Sequence, residues 1–219
     1  MASLQTLNLA HLPPDLAVHI ALYADLQNAP FLRDQLLQGN PDFEYALIDA
    51  TVILSTTHVL AAVFRAANDH LNGRLRSRTV HSEIVFSLGA NNNIAQSLRT
   101  FGITATTTNL LAIKLTTNPS ITASTVSEHL TASVNGTPVE FSDATLAKMA
   151  DVGKIRKLYK LSGVGEADSK GKRRRKDGSE EGSGGVDGVK AGSTGYGAER
   201  ERKELEVAIL GLMALRGAV

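Results

Sequence analysis

The sequence predicts a compact α/β (α+β) domain, and three observations predict it. Val18, Ile20 and Leu22 alternate with Ala17, His19 and Ala21, a period of two that belongs to a strand. Val59, Leu60, Val63, Phe64 and Ala67 recur at helical spacing, as do Leu205, Ala208, Ile209, Leu212 and Met213 near the C-terminus. At 219 residues and 42% apolar, the chain is long enough to bury one substantial core.

Pro13-Pro14 end a leader. In the strand that follows, His19 points away from the large aliphatics, where a solvent-facing or hydrogen-bonded structural histidine is expected rather than a ligand. Asn28 caps a short helix with Pro30 in its first turn, closed by Gly39-Asn40-Pro41. Phe43 to Ile48 is a second apolar run, with Tyr45, Leu47 and Asp49 sharing a face. A carboxylate ending a strand beside a turn is expected to accept from nearby backbone rather than act as a functional acid. Ser55-Thr56-Thr57 cap a helix that runs to Leu71, and Asn72-Gly73 turns the chain into Arg74-Leu75-Arg76-Ser77-Arg78. In an extended segment these arginines project to one side, a geometry suited to phosphate or a carboxylate-rich partner. A solvated connector is the plain alternative.

Segment Thr79–Leu88 fits two periods: Val80, Ile84 and Leu88 suit a helix, while Ile84, Phe86 and Leu88 alternate like a strand. Gly89 and the run Asn91-Asn92-Asn93 lead into Ile94, Leu98 and Phe101, which share one helical face. An asparagine cap at the start and Gly102 as the C′ residue predict a buried helix there. Leu110, Leu111, Ile113 and Leu115 form a buried strand with Lys114 toward solvent. A helix is expected over Ala123–Val134, stopped by Asn135-Gly136, and another from Ser142-Asp143 through Leu146, Met149, Ile155, Leu158 and Tyr159, bending at Gly153. Lys154, Arg156, Lys157 and Lys160 near its end complement the helix dipole or form a second basic patch.

Residues 163–198 hold 11 of the 19 glycines and no phenylalanine, leucine or isoleucine, a composition expected to stay disordered. The folded part is then 1–162 and 199–219, with a last helix Glu199–Arg216 whose apolar face is covered by the domain or by a partner protein. Within the loop, Lys172, Arg173, Arg174, Arg175 and Lys176 read as a nuclear-import signal or a polyanion-binding tract.

Composition excludes several function classes. A net charge of +1 gives no general affinity for nucleic acids or membranes, so such a role needs a local patch. Without cysteine there is neither disulfide nor thiolate chemistry. No long apolar run and no basic leader occur, so an intracellular protein without membrane partners is expected. The six histidines have no metal-ligand spacing, and no G-x-S-x-G elbow, Walker A loop or kinase signature is present. His81-Ser82-Glu83 are adjacent, but sequence neighbours point in different directions. No metal, cofactor or catalytic residue is assigned, and a binding or assembly protein is expected.

Four blocks together resemble the kinase-binding protein family of the KEOPS/EKC complex, the small subunit that partners the PRPK-type atypical kinase. They are FEYALIDATVILSTTHVLAAVFRA (Phe43–Ala66), RLRSRTVHSEIVFSLGANNNIAQSLRTFGI (Arg74–Ile103), IRKLYKL (Ile155–Leu161) and the terminal ALRGAV. The resemblance implies a small central sheet surrounded by helices, with a helix at Thr79–Leu88, and a non-enzymatic role. Its implied partners are the kinase N-terminal lobe, the threonylcarbamoyl transferase subunit through the complex, and the tRNA 3′ end. The implied process is threonylcarbamoyl-adenosine modification of tRNAs that read A-starting codons, with a further link to telomere maintenance and a location in nucleus and cytoplasm. Arg74, Arg76, Arg78, Asn92 and Asn93 are then the candidate tRNA contacts. Prokaryotic-type relatives carry an arginine beside the isoleucine of the turn, where this chain has the neutral Asn93. The alternative reading is a nuclear chromatin- or telomere-associated interaction protein acting through Lys172–Lys176 independently of tRNA.

Overall fold

Strand β2 (Val18–Ala24) is the axis of a five-stranded antiparallel sheet. One edge of β2 pairs with β4 (Leu110–Leu115), which pairs in turn with β3 (Ala46–Asp49). The other edge is shared: β1 (Leu4–Leu7) pairs with Val18–Ala21, and β5 (Thr137–Val139) takes over at Leu22–Ala24. The structure is a computed structural model, and it describes residues 3–161 and 193–216. Around the sheet lie α1 (Ala29–Gln38), α2 (Thr56–Leu71), α3 (Val80–Ser87), α4 (Ile94–Phe101), α5 (Ala123–Ser133), α6 (Asp143–Met149), α7 (Val152–Leu158) and α8 (Ser193–Ala214). No helix among the described residues is long and apolar enough to cross a membrane.

The alternation read in β2 divides the core in two. Val18, Ile20 and Leu22 join Ile48, Leu111, Ile113 and Leu115 on one face, packed by α2, α3, α6, α7 and α8. Ala21 and Tyr23 join Leu47, Leu110 and Ala112 on the other face, covered by Ala29 and Leu32 of α1 and by Val126 and Leu130 of α5. The expected central sheet surrounded by helices is therefore present, and Thr79–Leu88 resolves as helix. His19 is the satisfied structural histidine: it is buried, with Nδ1 on Thr6 Oγ1 at 2.9 Å and Nε2 on Thr116 Oγ1 at 3.0 Å.

Several local expectations are corrected. Part of the leader is strand β1, and Asn28 makes no side-chain cap. Its amide instead donates to Ser133 O at 2.8 Å and accepts from Asn135 N–H at 3.0 Å, joining α1 to the end of α5. Lys114 is buried, its Nζ donating to Glu44 O and lying 4.7 Å from the Tyr45 ring centroid. The expected bend at Gly153 is a break one turn earlier, where Asp151 accepts from Lys154 N–H at 2.8 Å and starts α7. Helix α4 is capped as expected by Asn93 but is not a buried helix: Ser97 and Phe101 are buried while Leu98 is exposed. Gly102 ends it in extended conformation at φ −69°, not as a left-handed C′ residue. The last helix begins at Ser193, inside the stretch expected to be disordered. Asp49 behaves as read, its Oδ1 accepting from Thr51 N–H at 3.0 Å and from Thr51 Oγ1 at 2.7 Å.

Candidate functional site

The arginine connector leaves α2 through Gly73, whose φ of 63° is the left-handed value that favours glycine. Arg74 N–H donates to Asp69 O at 2.7 Å, and its Nε lies 3.4 Å from Asp69 Oδ1. The segment then bends instead of running as a strand, yet exposure alternates as expected, with Arg74, Arg76 and Arg78 exposed and Leu75, Ser77 and Thr79 half-buried.

The bend has a cause inside α3. Glu83 is fully buried, and its Oε2 accepts from Arg76 N–H at 3.1 Å, Ser77 N–H at 2.7 Å and Ser77 Oγ at 2.6 Å. A buried carboxylate is tolerated only with donors of this kind, and charge-assisted bonds to backbone N–H are among the strong ones. The connector is thus folded over one carboxylate oxygen. Thr79 and Ser82 then close a reciprocal capping box that starts α3.

Of the five candidate tRNA contacts, the structure brings two together: Arg76 Nη1 donates to Asn92 Oδ1 at 3.0 Å. Asn93 is committed to α4, its Oδ1 accepting from Gln96 N–H at 2.9 Å. Arg74 is tied back to α2 through Asp69. Arg78 acts near Glu44, whose carboxyl is held below its usual range first by its bond to His81 and further by the charges of His81, Lys114 and Arg78. The three arginines therefore have three different neighbours, Asp69, Asn92 and Glu44. The tract Lys172–Lys176 lies outside the described residues.

Of the adjacent residues His81, Ser82 and Glu83, only His81 points away: Ser82 Oγ reaches Ser77 Oγ at 3.1 Å, and Ser77 Oγ donates to Glu83 Oε2 at 2.6 Å, so these two converge on Ser77. His81 Nε2 accepts from Leu115 N–H at 3.1 Å, which leaves the proton on Nδ1 to be donated to Glu44 Oε1 at 3.0 Å. Burial lowers the His81 pKa, the Glu44 bond opposing it.

A second surface is built by α8. Leu205, Ile209 and Met213 are buried against the domain, and Arg65 Nη1 donates to Met213 O at 2.6 Å. Ser55 bonds Glu206, Arg202 bonds Leu54 O and Arg156 pairs with Glu201, fixing the helix along α2 and α7. From Val207 to Leu215, however, every residue is apolar or glycine. A helix apolar on all sides is normally covered on all sides. Here Val207 is 69% and Leu215 59% exposed, with Gly211 and Ala214 exposed between them. On α2, Phe64 and Leu71 are also exposed and fall on one stripe with half-buried Leu60. Sequence reading took only the inner face of α8; the uninterrupted apolar run was the signal for the outer one.

Layered helices around a sheet, an uncovered apolar helix face and a basic connector define a protein-binding domain. The chain matches the family described as Kinase binding protein CGI-121 over residues 23–217. It is 48% identical over 215 residues to EKC/KEOPS complex subunit cgi121 of Aspergillus fumigatus, covering 98% of this chain and 97% of that one. It is 49% identical to the Aspergillus terreus subunit of the same name (99% and 98% covered) and 46% identical to that of Coccidioides immitis, over the full length of both. The chain belongs to the CGI-121 kinase-binding family.

Proposed function

We propose that this chain is an EKC/KEOPS complex subunit that docks a PRPK-type kinase and supports threonylcarbamoyl-adenosine modification of tRNA without catalysing a step itself. The observation that carries the reading is the uncovered apolar face of α8, Val207 to Leu215, beside the Phe64–Leu71 stripe of α2. Apolar side chains exposed side by side on two neighbouring helices fit a protein interface, and burying them against a kinase lobe supplies the hydrophobic term that association needs. The transferase subunit is reached through the complex. Arg74, Arg76 and Arg78 meet the phosphates near the tRNA 3′ end, with Asn92 orienting Arg76. Asn93, engaged as a helix cap, contributes to RNA only through the shape of the turn. The Lys172–Lys176 tract directs part of the protein to the nucleus, where any telomere role would be exercised.

Affinity purification of the tagged chain from its own cells tests the reading. The kinase and the transferase subunit are expected in the eluate, and both are expected to be lost with the double variant Val207→Glu, Leu215→Glu. Absence of the kinase from the wild-type eluate overturns the proposal. Retention by the double variant removes α8 from the interface.

A further inference from the structure

Glu83 uses only one of its oxygens on the connector. Its Oε1 is buried without a protein partner. So is Nε of Arg216, in the turn that follows α8. Arg216 reaches the same helix: its guanidinium carbon lies 3.9 Å from the Phe86 ring centroid, and Nη1 donates to Phe86 O. Glu83 and Phe86 are three residues apart on α3, which puts both on the side of the helix that Arg216 covers. A cation at the C-terminal end of α3 is also favoured by the helix dipole. Two opposite charges, each out of water and each with an unpartnered atom, thus converge on one helix face.

We propose that Glu83 and Arg216, which make no direct ion pair, attract each other across the buried space between them, and that this makes the turn after α8 a positioning element for the arginine connector. The Arg216 charge acts on the carboxylate, and the carboxylate holds the backbone of Arg76 and Ser77. The closeness of the two groups is seen at Arg216, whose pKa is lowered to about 10 first by burial and then by the Arg65 charge, while the Glu83 charge raises it. Helix α8 therefore carries two features at its C-terminal end, an uncovered apolar face outward and the Arg216 contact inward. The connector's shape depends on the second. Its consequence for RNA rests on the arginine reading proposed above.

Residue-resolved hydrogen exchange on the full chain tests the pair without any ligand. In Arg216→Met, which keeps a stem over the Phe86 ring but removes the charge, the Arg76 and Ser77 amides are expected to exchange at least tenfold faster. The Leu111 and Ile113 amides in β4 are expected to keep their rates. Arg216→Lys, which preserves charge without the planar fork, is expected to give an intermediate acceleration at the same two amides. Unchanged Arg76 and Ser77 rates overturn the proposal, as does equal acceleration in β4, which would mean general destabilisation. If Arg216→Met does not fold, the Lys variant alone decides by the same criterion. tRNA affinity measured in parallel separates the two readings. Loosened amides with unchanged affinity leave the Glu83–Arg216 pair standing and remove the arginines from the RNA site.

Discussion

His58 Nε2 donates to the Tyr159 hydroxyl at 2.8 Å, joining α2 to the end of α7 inside the core. The proton's place is fixed by the other ring nitrogen, since Leu54 N–H donates to Nδ1 at 3.2 Å. Tyr159 then donates onward to Leu88 O at 2.5 Å, just before the asparagine turn. A single neutral imidazole thus ties three segments, and both arginine connector and α8 are mounted on the helices it holds.

This neutral histidine predicts acid sensitivity. Burial lowers the His58 pKa from 6.5 to about 4, so the unfolded chain takes up the proton more readily than the folded one. The stabilisation is fully present above pH 6.5 and is lost as pH falls toward 4. Its ceiling is about 3 kcal/mol at 1.4 kcal/mol per pKa unit. Burial lowers His19, His81 and His129 as well, which adds in the same direction. Urea unfolding at pH 7 and pH 5 should show the loss, and His58→Gln should flatten part of that dependence.

Tyr159→Phe is expected to destabilise the protein by about 2–6 kcal/mol. It leaves two buried groups without their partner, the His58 Nε2–H and the Leu88 carbonyl. Each orphaned group costs about 1–3 kcal/mol. Denaturant midpoints of the variant and the parent check it at about pH 8, well above the unfolded pKa of 6.5, where His58 is neutral in both states.

Gly102→Ala is expected to cost about 1–3 kcal/mol by crowding. The backbone at Gly102 is extended and any residue could adopt it, but a Cβ there would press into Leu98 O. Gly73→Ala has the opposite logic, with open space around the new methyl but a left-handed φ of 63°, and is expected to cost about 1 kcal/mol. Thermal melts of the two variants measure both effects.

What the sequence could reveal depended on how local the cause was. Strands β2 and β4 were legible because each face of the sheet is buried by apolar residues at alternate positions. Strands β1 and β5, four and three residues long, carry no such pattern of their own and exist through pairing with β2. In α4, spacing correctly grouped Ile94, Leu98 and Phe101, but spacing cannot say whether anything covers a face. Lys114 turned inward because Glu44 O and the Tyr45 ring reach it only after folding. The arginines were visible as charge. Glu83 was not read as their organiser, because its donors come from the preceding connector and its burial from α3 as a whole.

Helix α8 should separate stability from binding. Ile209→Ala removes a fully buried side chain and is expected to cost about 2–5 kcal/mol. Val207→Glu alters a residue that is 69% exposed and should change stability by no more than about 0.5 kcal/mol. Its effect should fall on the kinase, weakening binding at least tenfold in a direct titration. Equal kinase affinity for Val207→Glu and the parent would place the interface elsewhere.

The arginine connector predicts a particular salt signature. Each phosphate neutralised on a single strand contributes roughly 0.7 to the slope of log affinity against log salt. Arg76 is the arginine already oriented toward the asparagine turn, by its bond to Asn92, while the Asp69 carboxylate beside Arg74 Nε offsets part of the Arg74 charge. Arg76→Ala should therefore lower tRNA affinity more than Arg74→Ala does. The triple variant of Arg74, Arg76 and Arg78 to alanine should make the slope shallower by roughly 2. Because all three side chains are exposed, their removal should leave the melting temperature nearly unchanged. Filter binding of unmodified tRNA across a salt series checks both orderings. A triple variant with the parent's slope would show that these arginines contact no phosphate, whatever happens to the absolute affinity.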